Sequence, residues 1–158
     1  ACGGPRLMDV APITMSVDLP AVHFSVLMGR RLVQSFARTA EIADSEIDCL
    51  MLVVSELLAN AVDHGGGGGA METKDLGEDV RMELRMSFDG MTWILSVEDQ
   101  GAGDLAEAQQ ILARKPGDAL AELEAERGRG LFLIHDMADE LSVHRGVRGL
   151  VFSATKSL

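Results

Sequence analysis

Glu56, Asn60 and His64 recur at i, i+4 and i+8, the spacing that lines three side chains along one stripe of a helix. An amide oxygen can coordinate magnesium, and a carboxylate one turn away can orient or deprotonate a nucleophile. On spacing alone a solvated polar face carries the same residues, away from the apolar side marked by Leu50, Leu57 and Leu58. Asp99 opens the run Asp99–Gly103 (DQGAG) directly after an apolar strand pattern. A carboxylate there suits an amino-group donor such as the exocyclic nitrogen of a base. Gly101 and Gly103 permit tight turns and close backbone approach to a ligand. A plain acidic turn reads the same way. Gly128–Arg129–Gly130 precedes a short helical pattern from Leu131, and free N–H groups at a helix start favour phosphate. Neither the dinucleotide fingerprint nor the Walker P-loop is present, since GxGxxG and the glycine–lysine–serine run are both missing.

Several elements must position these groups. Ile13–Leu19 alternates apolar and polar residues, as a strand does. Pro20 is expected to open a helix reaching about Thr39, with Val22, Val26, Leu27, Leu32, Val33 and Phe36 on its buried face. A second helix, capped by Asp44 or Ser45, carries the strongest periodicity: Ile47, Leu50, Met51, Val54, Leu57, Leu58, Ala61 and Val62. Gly65–Gly69 ends it, and Gly65–Asp79 reads as a polar, flexible connection. Val80–Phe88 and Trp93–Val97 read as strands joined by an Asp89–Gly90 hairpin turn. The polar stretch Leu105–Arg127 has room for one or two short helices broken at Pro116–Gly117. Leu131–Ala138 reads as a short helix, and Glu140–His144 with Leu150–Lys156 as a closing hairpin. This order predicts an α/β (α+β) two-layer sandwich, a mixed but mostly antiparallel sheet covered on one face by helices.

Composition narrows the partners. The 158 residues are 47% hydrophobic and 25% charged, enough for one domain with a substantial core. With one Trp and no Tyr, the core must rest on aliphatic side chains and Met. A formal net charge of −11 argues against direct nucleic-acid binding, which needs a basic footprint. It suits a basic protein surface, or simply a solvated acidic one. Cys2 and Cys49 form neither a disulfide framework nor a metal-spaced cluster, and Cys49 is expected to be a small core residue. No leader or membrane-length apolar run is seen, so a cytoplasmic location without membrane contact is expected. Residues 1–11 are expected to form a disordered start to a single domain spanning 1–158.

Taken together, Ser55–Gly65 (SELLANAVDHG), Glu98–Asp104 (EDQGAGD) and Gly128–Ile134 (GRGLFLI) resemble the N, G1 and G2 boxes of the gyrase/Hsp90/histidine-kinase/MutL ATPase superfamily. The resemblance covers nearly the whole chain and implies the Bergerat ATP-binding fold. A short domain with this N box looks most like the serine-kinase anti-sigma factors. That likeness implies ATP and magnesium as cofactors. It implies as partners a sigma factor and an anti-anti-sigma STAS-domain protein, phosphorylated on a serine, and a possible homodimer. Residue by residue, it implies Asn60 as the magnesium ligand, Glu56 as the base on the incoming hydroxyl, and Asp99 as the acceptor of the adenine amino group. Gly101 and Gly103 would shape the nucleotide pocket, and Gly128, Gly130 and Leu131 its phosphate end. Arg127 or Arg129 would reach the terminal phosphate, and Leu105–Arg127 would form the lid. Relatives open the last strand with a Gly-Thr pair whose threonine helps complete the adenine pocket. Here Arg148–Gly149–Leu150–Val151 offers no hydroxyl, and Ser153 and Thr155 follow later. A binding-only anti-sigma module and a histidine-kinase catalytic domain are the alternatives. Against the latter, His23 (LPAVHFSV) lacks the His-Glu pattern of a phosphoacceptor, and His135 and His144 read as surface or core residues.

Overall fold

The computed structural model describes residues 11–66, 68–77, 79–113, 130–131 and 133–158. Its elements run β1 (Ile13–Pro20), α1 (His23–Thr39), α2 (Asp44–His64), β2 (Arg81–Phe88), β3 (Thr92–Glu98), α3 (Leu105–Ala113), β4 (Glu140–Arg145) and β5 (Leu150–Ser157). The strands form one sheet in the order β1-β2-β3-β5-β4, and all four pairings are antiparallel. The expected sandwich is present, but the mixed sheet is wholly antiparallel among the described strands.

Strand alternation sorts the two faces. Met82, Leu84 and Met86 of β2, Trp93, Leu95 and Val97 of β3, and Leu150, Phe152 and Ala154 of β5 are all buried against the helices. Ser16, Arg85, Ser96 and Ser153 alternate with them on the other, solvent-facing side. The turn between β2 and β3 is the expected Asp89–Gly90 hairpin. Gly90 adopts φ 95, and Asp89 Oδ1 accepts the N–H groups of Met91 (2.9 Å) and Thr92 (2.7 Å).

The helices depart from expectation at four points. Pro20 ends β1 opposite Arg81, and α1 starts only at His23. The buried stripe of α1 is Ser25, Gly29, Val33 and Ala37, while Leu27 is 43% exposed. Small residues bring α1 close to α2: a Cβ on Gly29 would run into Leu58 Cδ1 and lie 3.3 Å from Leu84. The cap of α2 is Ala43, which makes no side-chain bond, so Asp44 and Glu46 lie inside the first turn and complement the helix dipole. Glu46 also accepts the indole N–H of the fully buried Trp93 (2.8 Å) and pairs with Lys156 Nζ (2.9 Å). Cys49 is half-buried on this helix and is not a core residue.

The connection after α2, expected to be polar and flexible, is hydrogen-bonded to both helices at Gly69–Met71. Gly69 N–H returns to the Val62 carbonyl (3.1 Å). The carbonyls of Ala70 and Met71 accept from His23 and Phe24, at 2.9 and 3.1 Å. Those are orphan donors of the first turn of α1, whose cap residue Val22 provides no side-chain bond. His23 Nε2 also meets Asp63 Oδ1 at 2.8 Å. Leu131–Ala138 is shorter as a helix than expected, passing into a 3-10 turn at His135–Met137. The expected break at Pro116–Gly117 and the start at 1–10 lie outside the described residues.

Candidate active site

α2 lies on the inner face of the sheet with Ile47, Leu50, Val54, Leu57 and Leu58 in the core. Its Glu56–Asn60–His64 stripe is not a solvated face. Asn60 is buried at 7% exposure, and Glu56 and His64 are half-buried. Burial raises the Glu56 carboxyl above its ordinary value. Gly130 lies directly over that carboxylate: a Cβ there would strike Glu56 Oε2 and stand 3.3 Å from Cδ. Thus the backbone of the third sequence segment meets the acid of the first. Leu131, next along, is buried in the core at 3% exposure and anchors the approach.

The other end of α2 meets Asp99. A Cβ on Gly65 would lie 2.5 Å from Asp99 Cβ, and one on Gly101 would lie 3.0 Å from Gly65 Cα. Asp99 is 3% exposed. Its Oδ1 accepts two backbone N–H groups, from Gly101 at 3.1 Å and from Leu150 at 3.0 Å. Its own N–H donates to the Leu150 carbonyl at 3.0 Å. A carboxylate held by main-chain donors is fixed in orientation as well as in position. Gly103 faces the same residue, since a Cβ there would sit 3.1 Å from Leu150 Cδ1. Asp104 starts α3 by accepting from Ala106 (2.8 Å) and Glu107 (3.2 Å).

The structure therefore brings Glu56 and Gly130 together at one point on α2, and Asp99 and Gly101 together at its C-terminal end, with Gly103 packed on Leu150. Asn60 is buried between these two points. From Glu56 to Gly65 the helix rises about 14 Å at 1.5 Å per residue. Arg127, Gly128 and Arg129 lie outside the described residues. Among the described residues no group of three or more His, Cys, Asp or Glu side chains could hold a metal. Magnesium needs few protein ligands where a substrate brings phosphates, because it keeps several of its waters.

Sequence reasoning underrated the backbone of Gly149 and Leu150. A Cβ on Gly149 would run into the Asp99 carbonyl oxygen and stand 2.5 Å from Oδ1. The position that lacks a threonine is thus still wired to Asp99, through its main chain. The Leu150 side chain is fully buried. Ser153 and Thr155 cannot supply the missing hydroxyl, because they alternate onto the opposite face from Phe152 and Ala154. The available signal was the glycine retained before the last strand.

Residues 25–156 match the family described as the histidine kinase-like ATPase domain. The chain belongs to that family. Within it, the chain is similar to the serine-protein kinase RsbW of Listeria monocytogenes. The serotype 4a (strain HCC23) protein is 26% identical over 133 residues, covering 82% of this chain and 78% of the relative. The serovar 1/2a (strain ATCC BAA-679 / EGD-e) protein is 27% identical over 135 residues, with the same coverage. Two solved structures share the fold. A chain of the SiaB–SiaC complex from Pseudomonas aeruginosa aligns with a TM-score of 0.63 at 15% identity, over 91% of this chain and 88% of that one. The RsbU and RsbW domains of Rv1364c from Mycobacterium tuberculosis align with a TM-score of 0.54 at 17% identity, over 91% of this chain and 32% of that one. Among the described residues no helix is long and apolar enough to cross a membrane.

Proposed function

We propose that this protein is an anti-sigma factor and serine-protein kinase. In this reading it holds a sigma factor and uses magnesium–ATP to phosphorylate a serine on an anti-anti-sigma STAS-domain protein. The observation that carries it is the buried Asp99 carboxylate, pinned by Gly101 and Leu150 at one end of α2, with Glu56 half-buried against Gly130 at the other. Adenine would donate its amino group to Asp99, and Asn60 would hold the magnesium ion. Bound magnesium would neutralise charge on the phosphate oxygens. Glu56, its pKa raised by burial, would orient the serine hydroxyl and accept its proton, and positioning would supply most of the acceleration. Arg127 or Arg129 would reach the terminal phosphate.

The test is transfer of phosphate from magnesium–ATP to a serine of a purified STAS-domain protein encoded beside it. Transfer that disappears in Glu56→Ala and Asn60→Ala supports the reading. Asp99→Asn should weaken ATP binding tenfold or more, roughly the worth of a hydrogen bond to a charged group, while sparing the partner complex. Autophosphorylation on histidine would refute the assignment. One observation favours a second reading, a binding module without useful kinase activity: the fully buried Leu150 stands where a threonine was expected. A stable complex with a sigma factor or STAS-domain protein, with no transfer, is its signature.

A further inference from the structure

Antiparallel register lines up three carboxylates on the outer face of the sheet. Asp18 of β1 stands opposite Glu83 of β2, and Glu83 opposite Glu98 of β3. Like charges directly opposite one another repel. Arg148, from the turn between β4 and β5, reaches back across all three. Its Nη1 lies 3.4 Å from Asp18 Oδ1, its Nη2 3.1 Å from Glu83 Oε2, and its Nε 3.5 Å from Glu98 Oε1. Its main-chain N–H donates to the same Glu98 oxygen at 3.3 Å. The Glu83 and Glu98 side chains are only 15% and 14% exposed, so this network is shielded more than a typical surface pair. The planar fork spreads its donors over three nitrogens in fixed geometry, a span that the single nitrogen of a lysine does not reproduce.

The two sides of this strand crossing are covalently joined. Glu98 and Asp99 are consecutive, and so are Arg148, Gly149 and Leu150. On the outer face Arg148 holds Glu98. On the inner face Leu150 N–H holds Asp99 Oδ1, with Gly149 pressed against Asp99 between them. We infer that Arg148 is a positioning residue for base recognition. Its grip on the Asp18–Glu83–Glu98 row clamps the β4–β5 turn to the sheet, and so fixes the Leu150 N–H that orients the Asp99 carboxylate. The inference rests on the proposed role of Asp99 toward adenine. Arg148 itself contacts no nucleotide in this scheme, because its side chain lies on the opposite face of the sheet.

The experiment measures affinity of the whole chain for magnesium–ATP and for magnesium–tripolyphosphate, which lacks the base. Arg148→Ala should weaken ATP binding about five- to twentyfold, within the coupling range of residues in one network, and leave tripolyphosphate within about twofold. Arg148→Lys should fall between. In an Asp99→Asn background Arg148→Ala should add less than about a twofold loss, because the carboxylate it orients is gone. If Arg148→Ala does not fold, Glu98→Gln takes the charge from one arm of the clamp and should show a base-selective loss in the same direction, smaller than that of Arg148→Ala. Parallel loss of both ligands would mark a merely structural role and overturn the inference. So would unchanged ATP affinity in Arg148→Ala or Glu98→Gln while Asp99→Asn weakens it. ATP affinity that survives Asp99→Asn would instead overturn the adenine reading of Asp99, and the inference with it.

Discussion

Gly149→Ala tests the contact that joins the last strand to the site. The new Cβ would stand 2.9 Å from the Asp99 carbonyl carbon, with the carbonyl oxygen and Oδ1 nearer still. None of these atoms is the free end of a flexible side chain. Asp99 is held by its N–H to Leu150 (3.0 Å) and by the Gly101 and Leu150 donors on Oδ1 (3.1 and 3.0 Å). Overpacking of this kind costs about 1–3 kcal/mol. Relief by shifting Asp99 would forfeit a charged hydrogen bond worth about 1.5–3 kcal/mol. The expected destabilisation is therefore about 3 kcal/mol. For a chain of this size that lowers Tm by roughly 6–12 °C, at 2–4 °C per kcal/mol. The ATP affinity should fall at least about tenfold, since the displaced carboxylate is the proposed adenine acceptor. Differential scanning calorimetry and isothermal titration calorimetry read the two effects separately. Gly77→Ala is the control, because a Cβ there meets nothing within 4 Å and should change stability by no more than about 0.5 kcal/mol. A Gly149→Ala protein that matches the Gly77→Ala control in Tm and ATP affinity would refute the packing of Gly149 on Asp99.

Two further predictions follow from titrating groups. Glu56→Gln should lower the rate of transfer by about 10²–10⁴, the usual worth of a general base. Because burial raises the Glu56 carboxyl above 4.5, the acid limb of the pH–rate profile should lie above that value and vanish in Glu56→Gln. The same shift means that ionised Glu56 is disfavoured in the fold, a penalty that grows as pH rises from 4.5 through the raised pKa. At pH 7 Glu56→Gln should accordingly be at least as stable as the parent by urea unfolding, and a less stable variant contradicts the assignment. Glu83 behaves oppositely. The Arg85 guanidinium (2.8 Å), then the Ser16 hydroxyl (2.7 Å), hold its carboxyl at about 2 against an ordinary 4.5. Its stabilising contribution is complete above pH 4.5 and is lost as pH falls toward 2. The stability difference between the parent and Glu83→Gln should shrink across that window, and a constant difference would show that the charge is not what stabilises.

The element order and the polarity of the sheet were legible because strand alternation depends only on neighbours in sequence. Met82, Leu84, Met86 and Phe88 face inward as their period of two requires. The buried face of α2 was legible for the same reason at a period of 3.6. The buried face of α1 was legible only in part. Val33 is fully buried as expected, and Val26 and Phe36 pack against the core, but Ser25, Gly29 and Ala37 complete the stripe, and at Gly29 it is the close approach of Leu58 and Leu84 that decides, which hydrophobicity does not signal. Asn60 likewise looked equally suited to solvent, since spacing specifies a stripe without saying what covers it. Of the residues that the motifs pointed to, Glu56 and Asn60 lie on α2 with Gly130 over Glu56, Asp99 and Gly101 meet the C-terminal end of that helix, and Gly103 packs on Leu150.

By itself the sequence determined which residues could do chemistry and which local elements carry them, because both are set by residue type and short-range period. Only the tertiary structure decided which of them meet. The strand order β1-β2-β3-β5-β4 lays β5 beside β3, and that non-local pairing delivers the Leu150 N–H to Asp99 and Arg148 to Glu98. No periodicity encodes that pairing. It depends on register between segments about fifty residues apart, whose inner faces are buried together in one core.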